Sequence, residues 1–356
     1  MKICFLTNNL DTQNGGGRFS YELIEHVRKN IDDVVILTTV SSGYDKEHSI
    51  LSTSKIKLLF SIFKIRKIIK QCDIIYALDG FPYGIIGVLT SLGLKKKIII
   101  TAIGSGSIRP LYGKWNFLLT WAYRRADVVT AISSYTVNEI NKKIDIDIKI
   151  ITPGISYQYF LDSYNQVDDS ALKYKPYILT VGRFKKRKGQ LLSLKAFAKI
   201  AKEFPDLKYV FVGSSRSAYY QQVADLSRKF SLENRVIFKE AINDNELVSF
   251  YKNAELFILL PQNVNFDIEG FGLVYLEAAA FGLPVIGALR SGATDAILDK
   301  QNGFLVEPQD VDEAAEKMKL ILEDSKLRHN FSHNSIVFAK SLDWSTIIKK
   351  YLNILK

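Results

Sequence analysis

The sequence predicts an α/β protein made of two Rossmann-like, doubly wound parallel-sheet domains. Its 356 residues are more than one hydrophobic core normally fills, so two domains are expected. Short apolar runs alternate with longer amphipathic ones, as in parallel sheets covered by helices on both faces. This rhythm starts at Ile3 and starts again at Tyr177. Because such sheets bind ligands at the carboxyl ends of their strands, we expect the site in an interdomain cleft.

Six strands are predicted in each half, with helical stretches between them. They are Ile3–Leu6, Val34–Thr38, Ile74–Leu78, Ile98–Ala102, Val128–Ile132 and Ile148–Ile151, followed by Tyr177–Val181, Tyr209–Val212, Val236–Phe238, Leu256–Leu260, Pro284–Ile286 and Gly303–Val306. A polar, aperiodic segment at 162–170 is the predicted linker. We therefore predict an N-terminal, acceptor-side domain over 1–162, a C-terminal, nucleotide-sugar-binding domain over 163–338, and a C-terminal helix over 339–356 that crosses back to the N-terminal domain.

The composition is that of an ordinary globular protein. A hydrophobic share of 47% with 24% charged residues excludes disordered, collagen-like and coiled-coil chains. Cys4 and Cys72 lie in apolar runs and cannot form a disulfide framework or a zinc site. The first strand turns polar at Thr7, too soon for the apolar region of a signal peptide. We therefore expect a cytoplasmic protein.

The positive charge is concentrated in the first half of the chain. Residues 1–160 carry +8 of the net charge of +11, which suits an anionic partner such as phospholipid or pyrophosphate. No zinc finger, helix-turn-helix or stacking platform of interleaved aromatic and basic residues is visible. Nucleic acid is therefore not predicted as a partner.

A glycine-rich segment, Asn14–Arg18, follows the first strand and opens a predicted helix over Phe19–Lys29. Gly15, Gly16 and Gly17 would let the backbone approach a ligand, and the helix start offers free N–H groups. The spacing is not G-x-G-x-x-G, and no acidic residue clearly ends the second strand, so a nicotinamide dehydrogenase is disfavoured. A flexible loop before a helix would have the same glycines.

A basic loop follows the strand Tyr177–Val181 and precedes the next predicted helix. In this loop Gly182 and Gly189 bracket five cationic side chains, and a sharp turn there would bring Arg183 and Lys188 inward as a pyrophosphate clamp. Charge alone would equally fit a solvated basic loop.

The segment Asp267–Ile286 combines a glycine turn with a short apolar helix that carries a carboxylate. Gly270 and Gly272 predict a tight turn, and a helix over Gly272–Phe281 is expected to end at Gly282. Glu269 precedes this helix and Glu277 lies within it. A buried carboxylate needs a partner, which a ribose diol could supply, and the backbone N–H groups of Phe271, Gly272 and Leu273 are left free at the helix start.

Together these motifs resemble the retaining glycosyltransferases of family 4, which have the GT-B fold. The resemblance rests on Gly182-Arg183 with Lys188-Gly189, on Glu269 and Glu277 in the E-x(7)-E spacing, and on the sequence from Gly282 to Ile286. It implies a retaining transfer of a sugar from a nucleoside diphosphate, of UDP or GDP type, to a glycan or a lipid-linked saccharide in bacterial surface polysaccharide or lipopolysaccharide assembly. It implies no metal and no cofactor.

The resemblance also assigns roles to residues. In the family, the counterparts of Arg183 and Lys188 bind the diphosphate and stabilise the leaving group. The counterpart of Glu269, together with the backbone N–H groups that follow it, holds the hydroxyls of the donor sugar. The counterpart of Glu277 holds the ribose. The glycines of the first loop, with Arg18, would lie beside the diphosphate and acceptor, and the nucleotide base would lie near Lys239 and Glu240. In the family's usual scheme the departing diphosphate draws the proton from the acceptor hydroxyl.

One departure concerns a histidine that many relatives carry after the fourth predicted strand. Here the sequence has Ile103-Gly104-Ser105-Gly106, which leaves Ser105, Ser107 and Arg109 as local substitutes on the acceptor side. The missing histidine favours the alternative of a degenerate sugar-nucleotide-binding subunit. A nucleotide-sugar epimerase or a glycan phosphorylase of the same architecture are further alternatives.

The segment 54–70 predicts a basic amphipathic helix. Its apolar residues recur at helical spacing with lysines and arginines around them, as in helices that lie at a membrane interface. A helix packed on the first sheet with a solvated basic edge explains the same pattern. Peripheral contact with the anionic inner face of the plasma membrane is therefore expected as one of two interpretations.

Overall fold

The computed structural model describes residues 1–52, 55–165, 170–215 and 217–356. The chain divides into unit 1, residues 1–153 with 344–356, and unit 2, residues 154–343. The division falls at 153/154, before the predicted position 162, because the next helix packs on unit 2, where the rings of Phe160 and Phe281 meet edge to face at 5.5 Å. The start of the predicted linker finishes that helix, and residues 166–169 lie outside the described residues.

Within its described residues, unit 1 contains a parallel sheet of seven strands. The strands are β1 Ile3–Leu6, β2 Val34–Leu37, β3 Glu47–His48, β4 Ile74–Leu78, β5 Lys97–Ala102, β6 Val128–Ala131 and β7 Lys149–Ile150, in the order β3-β2-β1-β4-β5-β6-β7. The helices are α1 Gly15–Arg28, α2 Lys55–Ile69, α3 Ile85–Ser91, α4 Ser105–Ile108, α5 Asn116–Arg125 and α6 Ser134–Asn141. The strand β3 was not predicted, since a two-residue polar edge strand has no apolar signature.

Unit 2 repeats this architecture with a parallel sheet of six strands in its described part. The strands are β8 Tyr177–Val181, β9 Lys208–Val212, β10 Val236–Lys239, β11 Leu256–Ile258, β12 Val285–Ala288 and β13 Gly303–Val306, in the order β10-β9-β8-β11-β12-β13. The helices are α7 Tyr157–Asn165, α8 Gln190–Ile200, α9 Ala218–Lys229, α10 Asp244–Asn253, α11 Leu273–Ala280, α12 Ala293–Ala296, α13 Val311–Glu323 and α14 Ser325–Ser341. Two doubly wound sheets therefore stand where the apolar rhythm predicted them.

The C-terminal helix, α15 over Trp344–Leu355, belongs to unit 1. Trp344 stacks on His26 with ring centroids 5.1 Å apart. The hydroxyl of the buried Tyr351 donates to the backbone carbonyl of Ile151 at 2.9 Å. These contacts fix the end of the chain on the first sheet, after α14 has ended on unit 2.

Each sheet has a switch point, where the order of the strands reverses. In unit 1 it lies between β1 and β4, and in unit 2 between β8 and β11. At a switch point the loops after the two central strands diverge and leave a crevice at the carboxyl edge. The loops after β1, β4, β8 and β11 are therefore the places to look for a site.

No helix in the described part of the chain is long and apolar enough to span a membrane. The predicted basic helix is α2, of which Ser54 lies outside the described residues. Its Ile65 and Ile69 are buried, whereas Phe60 and Phe63 are 78% and 80% exposed. The helix thus packs on the sheet by one face and presents two aromatic side chains to solvent.

Candidate functional site

The basic loop after β8 turns sharply at its two glycines. Gly182 has φ +146°, and the Lys188 side chain lies across it, with Nζ 3.8 Å from where a Cβ would be. Gly189 has φ +72°, and a Cβ there would lie 1.7 Å from the carbonyl oxygen of Leu260. Both positions therefore require glycine, because a side chain would be strained at the first and would clash at the second.

The cations of this loop converge on Glu269, which follows β11. Lys188 Nζ lies 2.6 Å and Arg187 Nη1 2.5 Å from Glu269 Oε2, and all three side chains are at most 16% exposed. Arg187 also reaches Asp267, with Nε 3.3 Å from Oδ1. Unit 2 thus places a cationic and an acidic loop together at its switch point, in an arrangement that we call the 187–188–269 cluster.

The charges of this cluster shift one another's titration. Burial raises the pKa of Glu269, but Lys188 and Arg187 outweigh it and lower that pKa to about 2. Burial lowers the pKa of Lys188, and Glu269 counters this only in part. Glu269 faces two cations, so the lowered pKa of its carboxylate is the larger of the two shifts, and the carboxylate is ionised at neutral pH. With Asp267 beside Arg187, the two cations and two carboxylates balance, and the exposed Arg183 of the same loop adds a positive charge that suits an anion.

Arg183 and Lys188, predicted as a pair, occupy different environments. The Arg183 side chain is exposed and forms no ion pair with any described residue, while Gln190 Nε2 donates to its backbone carbonyl at 3.1 Å. Arg187 and Asp267 are the partners that sequence reasoning missed. Both stand in the quoted motifs, but nothing in the spacing says which of five neighbouring cations turns inward.

The glycine turn before α11 has the predicted form. Gly272 has φ +86° and precedes the helix, which starts at Leu273. Among the described residues no acceptor receives a hydrogen bond from the backbone N–H of Phe271, Gly272 or Leu273. Gly292 backs the turn, donating from its backbone N–H to the Glu269 carbonyl at 2.9 Å. Three donors beside the 187–188–269 cluster are thus left for a ligand.

Glu277 lies inside α11 and is buried. The Tyr251 hydroxyl on α10 donates to its Oε2 at 2.8 Å, and the Tyr251 ring stacks on Phe281 at 5.7 Å. The carboxylate that the sequence left in need of a partner therefore has at least this phenol. Tyr251 gave no signal in the sequence, because it is one of 18 tyrosines in the chain.

Lys239 and Glu240 follow from β10 into the next loop, as predicted. The Lys239 ammonium lies 5.0 Å from the centroid of the Tyr174 ring. Glu240 accepts hydrogen bonds from the backbone N–H of Ser215, at 3.1 Å, and from its hydroxyl. Both residues belong to unit 2 but are engaged with neighbours outside the 187–188–269 cluster.

In unit 1 the three glycines form the first turn of α1 rather than a loop. The helix starts at Gly15, four residues before the predicted start, because Asn14 caps it by accepting from the Gly17 N–H at 2.8 Å. A Cβ on Gly17 would lie 2.2 Å from the Asp11 carbonyl oxygen, whereas one on Gly15 would meet no atom within 4 Å. Packing therefore requires a glycine at position 17 but not at position 15, where the space beside the backbone is open.

The other residues that the sequence analysis assigned to the acceptor side lie in α1 and after β5. The Cδ1 atom of Ile103, the residue that follows β5, would be 3.9 Å from a Cβ on Gly16. Ser105 opens α4 and Arg109 follows that helix, with its side chain exposed. Arg18 donates from Nε to the Thr12 carbonyl at 3.1 Å. The loops after β1 and β5 thus meet at the carboxyl edge of the first sheet.

A carboxylate that sequence reasoning passed over, Asp79, directly follows β4 at the switch point of unit 1. The Gly80 N–H donates to its Oδ1 at 2.9 Å, and the buried Ser107 hydroxyl donates to the same oxygen. The Tyr83 hydroxyl donates to Asn8 Oδ1 at 3.2 Å, so this loop contacts the loop after β1. The only signal was an acidic residue at the end of an apolar run.

The architecture of the two units is that of the GT-B glycosyltransferases. A crystal structure of Alr3699/HepE from Anabaena in complex with UDP superposes with a TM-score of 0.84, over 100% of this chain and 99% of that one, at 19% identity. The match shows the fold. The sequence comparisons show the family.

Two family models match consecutive parts of the chain. "Glycosyltransferase Family 4" matches residues 13–159 and "Glycosyl transferases group 1" matches residues 165–337. The chain therefore belongs to the family 4 glycosyltransferases, as the resemblance predicted.

Curated relatives of this chain are remote in sequence. A GDP-mannose-dependent alpha-(1-6)-phosphatidylinositol monomannoside mannosyltransferase of Mycolicibacterium smegmatis is 26% identical over 56% of this chain and 54% of its own. The capsular polysaccharide biosynthesis glycosyltransferase CapM of Staphylococcus aureus is 25% identical over 94% and 93%. The chain thus spans about half the length of several curated relatives and nearly all of CapM.

Proposed function

We propose that this protein is a retaining, metal-independent glycosyltransferase that moves a sugar from a nucleoside diphosphate to a glycan or a lipid-linked saccharide. The observation that carries the proposal is the 187–188–269 cluster at the switch point of unit 2. It combines buried cations, a carboxylate that is ionised at neutral pH, and three free backbone N–H groups within two adjoining loops. Such a site can hold a diphosphate and a polyhydroxyl group side by side.

The donor is proposed to bind with its diphosphate on the cations. Arg183 is exposed and without an ion pair among the described residues, so its guanidinium can close on a phosphate as a fork. Lys188 would exchange part of its contact with Glu269 for a phosphate oxygen. Glu269 and the free N–H groups of the glycine turn would then take sugar hydroxyls, and Glu277 the ribose.

The reaction that fits these groups is a same-face substitution. As the bond from the anomeric carbon to the diphosphate oxygen breaks, negative charge develops on that oxygen, and Lys188 and Arg183 stabilise it. The acceptor oxygen bonds to the anomeric carbon on the same face, and its proton passes to the departing diphosphate. In this scheme no protein side chain forms a bond to the sugar.

Nucleotide binding is the first test of this proposal. We expect UDP or GDP, with chelator present, to raise the Tm of the purified protein. Glu277→Gln should abolish most of the shift, because it replaces one accepting oxygen by an NH2 group that donates and removes the negative charge that strengthens both hydrogen bonds. Glu316→Gln, an exposed substitution on α13, is the control and should keep the shift. No shift with uridine, guanosine or adenosine diphosphates or their sugar conjugates would contradict the proposal, whereas a shift without any sugar transfer would favour the degenerate sugar-nucleotide-binding subunit.

The acceptor is proposed to be reached at a membrane surface. Phe60 and Phe63 on α2 are exposed, and Lys57, Lys64 and Lys67 on the same helix are exposed as well. Exposed aromatic side chains among cations suit the headgroup region of an anionic bilayer. A role in surface polysaccharide assembly fits the similarity to CapM, a capsular polysaccharide biosynthesis glycosyltransferase, and a cytoplasmic location at the inner leaflet belongs to the same proposal.

Co-sedimentation with vesicles tests the membrane contact. Vesicles with 30% phosphatidylglycerol, roughly the anionic share at which basic segments bind, should retain the wild type and lose the double variant Phe60→Ser with Phe63→Ser. Binding should weaken in about 0.5 M salt, where screening is nearly complete over 10 Å. Phe230→Ser is the control, because Phe230 is an exposed phenylalanine directly after α9, and this variant should bind the vesicles as the wild type does. Equal binding by the wild type and the double variant would refute this surface.

A further inference from the structure

A hydroxyl-binding site on unit 1, centred on Asp79, is the strongest feature that the reaction scheme above leaves unused. It rests on the proposed function and adds a site to it. The Asp79 carboxylate stands at the carboxyl end of β4, next to β1 and therefore at the switch point where sheets of this kind bind ligands. Asp79 is half-buried, so part of it remains open to a ligand.

The backbone at Asp79 is held in a conformation that few residues adopt. Its φ of +116° and ψ of 147° lie in a region that is essentially restricted to glycine. Its N–H donates to the Thr101 carbonyl at 3.0 Å, and its carbonyl accepts from the Gly84 N–H at 3.1 Å. The neighbouring chain therefore imposes the strained conformation, and strain of this kind is typical of functional sites.

The two carboxylate oxygens have different surroundings. Oδ1 accepts hydrogen bonds from the Gly80 N–H and the Ser107 hydroxyl. Oδ2 accepts none from any described residue, and a Cβ on Gly106 would lie only 2.2 Å from it. A glycine at 106 thus keeps clear the space beside the one carboxylate oxygen that has no partner.

We infer that Asp79 Oδ2 accepts the hydrogen bond of a sugar hydroxyl of the acceptor. A carboxylate with one oxygen fixed and one free is a rigid acceptor, which positions a hydroxyl well. The segment after β5 supplies both Ser107 and Gly106, so the site is built from the ends of two neighbouring strands, β4 and β5.

The titration of Asp79 agrees with this geometry. Burial raises its pKa to about 7, and the hydrogen bonds from Ser107 and Gly80 only partly oppose this. The titratable groups that face it in the described structure are the phenols of Tyr83 and Tyr123, and burial raises the pKa of both, so they stay neutral. At neutral pH the carboxyl is therefore only partly ionised, and because no cation faces it in the described structure, a hydroxyl donor bound at Oδ2 would stabilise its charged form.

Two variants test the site in opposite ways. Asp79→Asn keeps an acceptor for Ser107 and Gly80 but places an amide group where Oδ2 was, and Gly106→Ala keeps the carboxyl group but introduces a Cβ 2.2 Å from the position of Oδ2, so that Oδ2 has to move. Each should raise the KM for octyl glucoside, octyl galactoside, octyl mannoside or octyl N-acetylglucosaminide about 10- to 100-fold, as for a lost hydrogen bond to a charged group. Gly113→Ala, where a Cβ meets only one atom at 3.9 Å, is the control and should leave the KM unchanged.

The nucleotide-induced shift in Tm separates this inference from the proposed function. It should be the same in wild type, Asp79→Asn and Gly106→Ala, because the nucleotide residues belong to unit 2. If the wild type shows no nucleotide-induced shift in Tm, that result contradicts the proposed function and leaves the site at Asp79 to be judged by the other measurements. An unchanged KM in both variants, with the shift intact, would overturn the site at Asp79.

A direct measurement applies even if none of these glycosides is turned over. In protein labelled with 13C at the aspartate carboxyls, the signal absent from Asp79→Asn identifies Asp79. That signal should move in a saturable manner with at least one of the four octyl glycosides, and should not move in Gly106→Ala. Absence of any movement with all four glycosides would overturn the inference.

The Tm of Asp79→Asn distinguishes a ligand-binding role of Asp79 from a structural one. The two roles predict changes of opposite sign at pH 8. The folded-state pKa of about 7 exceeds the ordinary 3.8, so the folded protein binds more protons, and stability is lost as pH rises from about 4 to 7. Asp79→Asn should therefore have a higher Tm than wild type at pH 8 and a similar Tm at pH 4. A lower Tm at pH 8 would assign Asp79 to structure.

Discussion

Replacing Lys188 by alanine is expected to lower kcat by about 10²–10³, which corresponds to about 2.7–4 kcal/mol of transition-state stabilisation. The ammonium is nearly buried beside Glu269, and the Lys188 side chain lies across Gly182, which has no side chain of its own. Its positive charge would act on the diphosphate as negative charge develops there. The measurement is steady-state release of the nucleoside diphosphate, with the nucleotide sugar that raises the Tm.

Lys186→Ala is the matched control for Lys188. It lies on the same helical turn of the basic loop, and its side chain is exposed. Its removal should change kcat less than about twofold, since exposed charges are screened by water. Equal losses in the two variants would mean that the loop acts by its total charge, and normal turnover of Lys188→Ala would remove it from the mechanism.

The fold could be predicted because it rests on redundant signals. Every residue of β1, β4 and β8 is buried, so each strand reads as an unbroken apolar run. The interruptions between them are long enough for helices. Only β3 escaped, since Glu47–His48 has no apolar residue and pairs at the edge of the sheet.

The sequence predicted those residues of the candidate site whose identity is determined by the backbone conformation. Gly189 and Gly272 were recognised because a positive φ leaves few residues to choose from. The inward orientation of the Arg187 side chain could not be predicted, because it depends on how a short helical turn orients three consecutive cations, Lys186 to Lys188. A spacing rule gives the order of these side chains but not the direction in which each one points.

Asp79 was missed for a different reason. In the sequence it is a single acidic residue after an apolar strand, which normally marks only the start of a loop. Its significance depends on Gly106 and Ser107, which are far away in the chain and approach it only because β4 and β5 are neighbours. Single-residue signals of this kind become informative once the strand order is known.

The second large effect is expected from Arg187→Gln, through the free energy of unfolding. Glu269 and Arg187 are both nearly buried and share an ion pair at 2.5 Å, with Asp267 as the second partner of the arginine. Removing one partner of a buried pair typically costs about 3–5 kcal/mol, and the lower figure applies here because Lys188 still faces Glu269. Urea unfolding at pH 7 measures the loss, and Lys186→Gln should leave the midpoint unchanged.

The same substitution should change the response to acid. In the wild type the pKa of Glu269 is about 2 when folded and near 4.5 when unfolded, so its stabilisation is complete above about pH 4.5 and is lost as pH falls towards 2. Without Arg187 the folded-state pKa moves up towards 4.5, so less stability remains to be lost in that window. The difference in unfolding free energy between Arg187→Gln and wild type should therefore shrink from pH 7 to pH 2. A difference that stays constant over this range would mean that Arg187 stabilises unit 2 by packing alone, and that Glu269 owes its ionised state to Lys188.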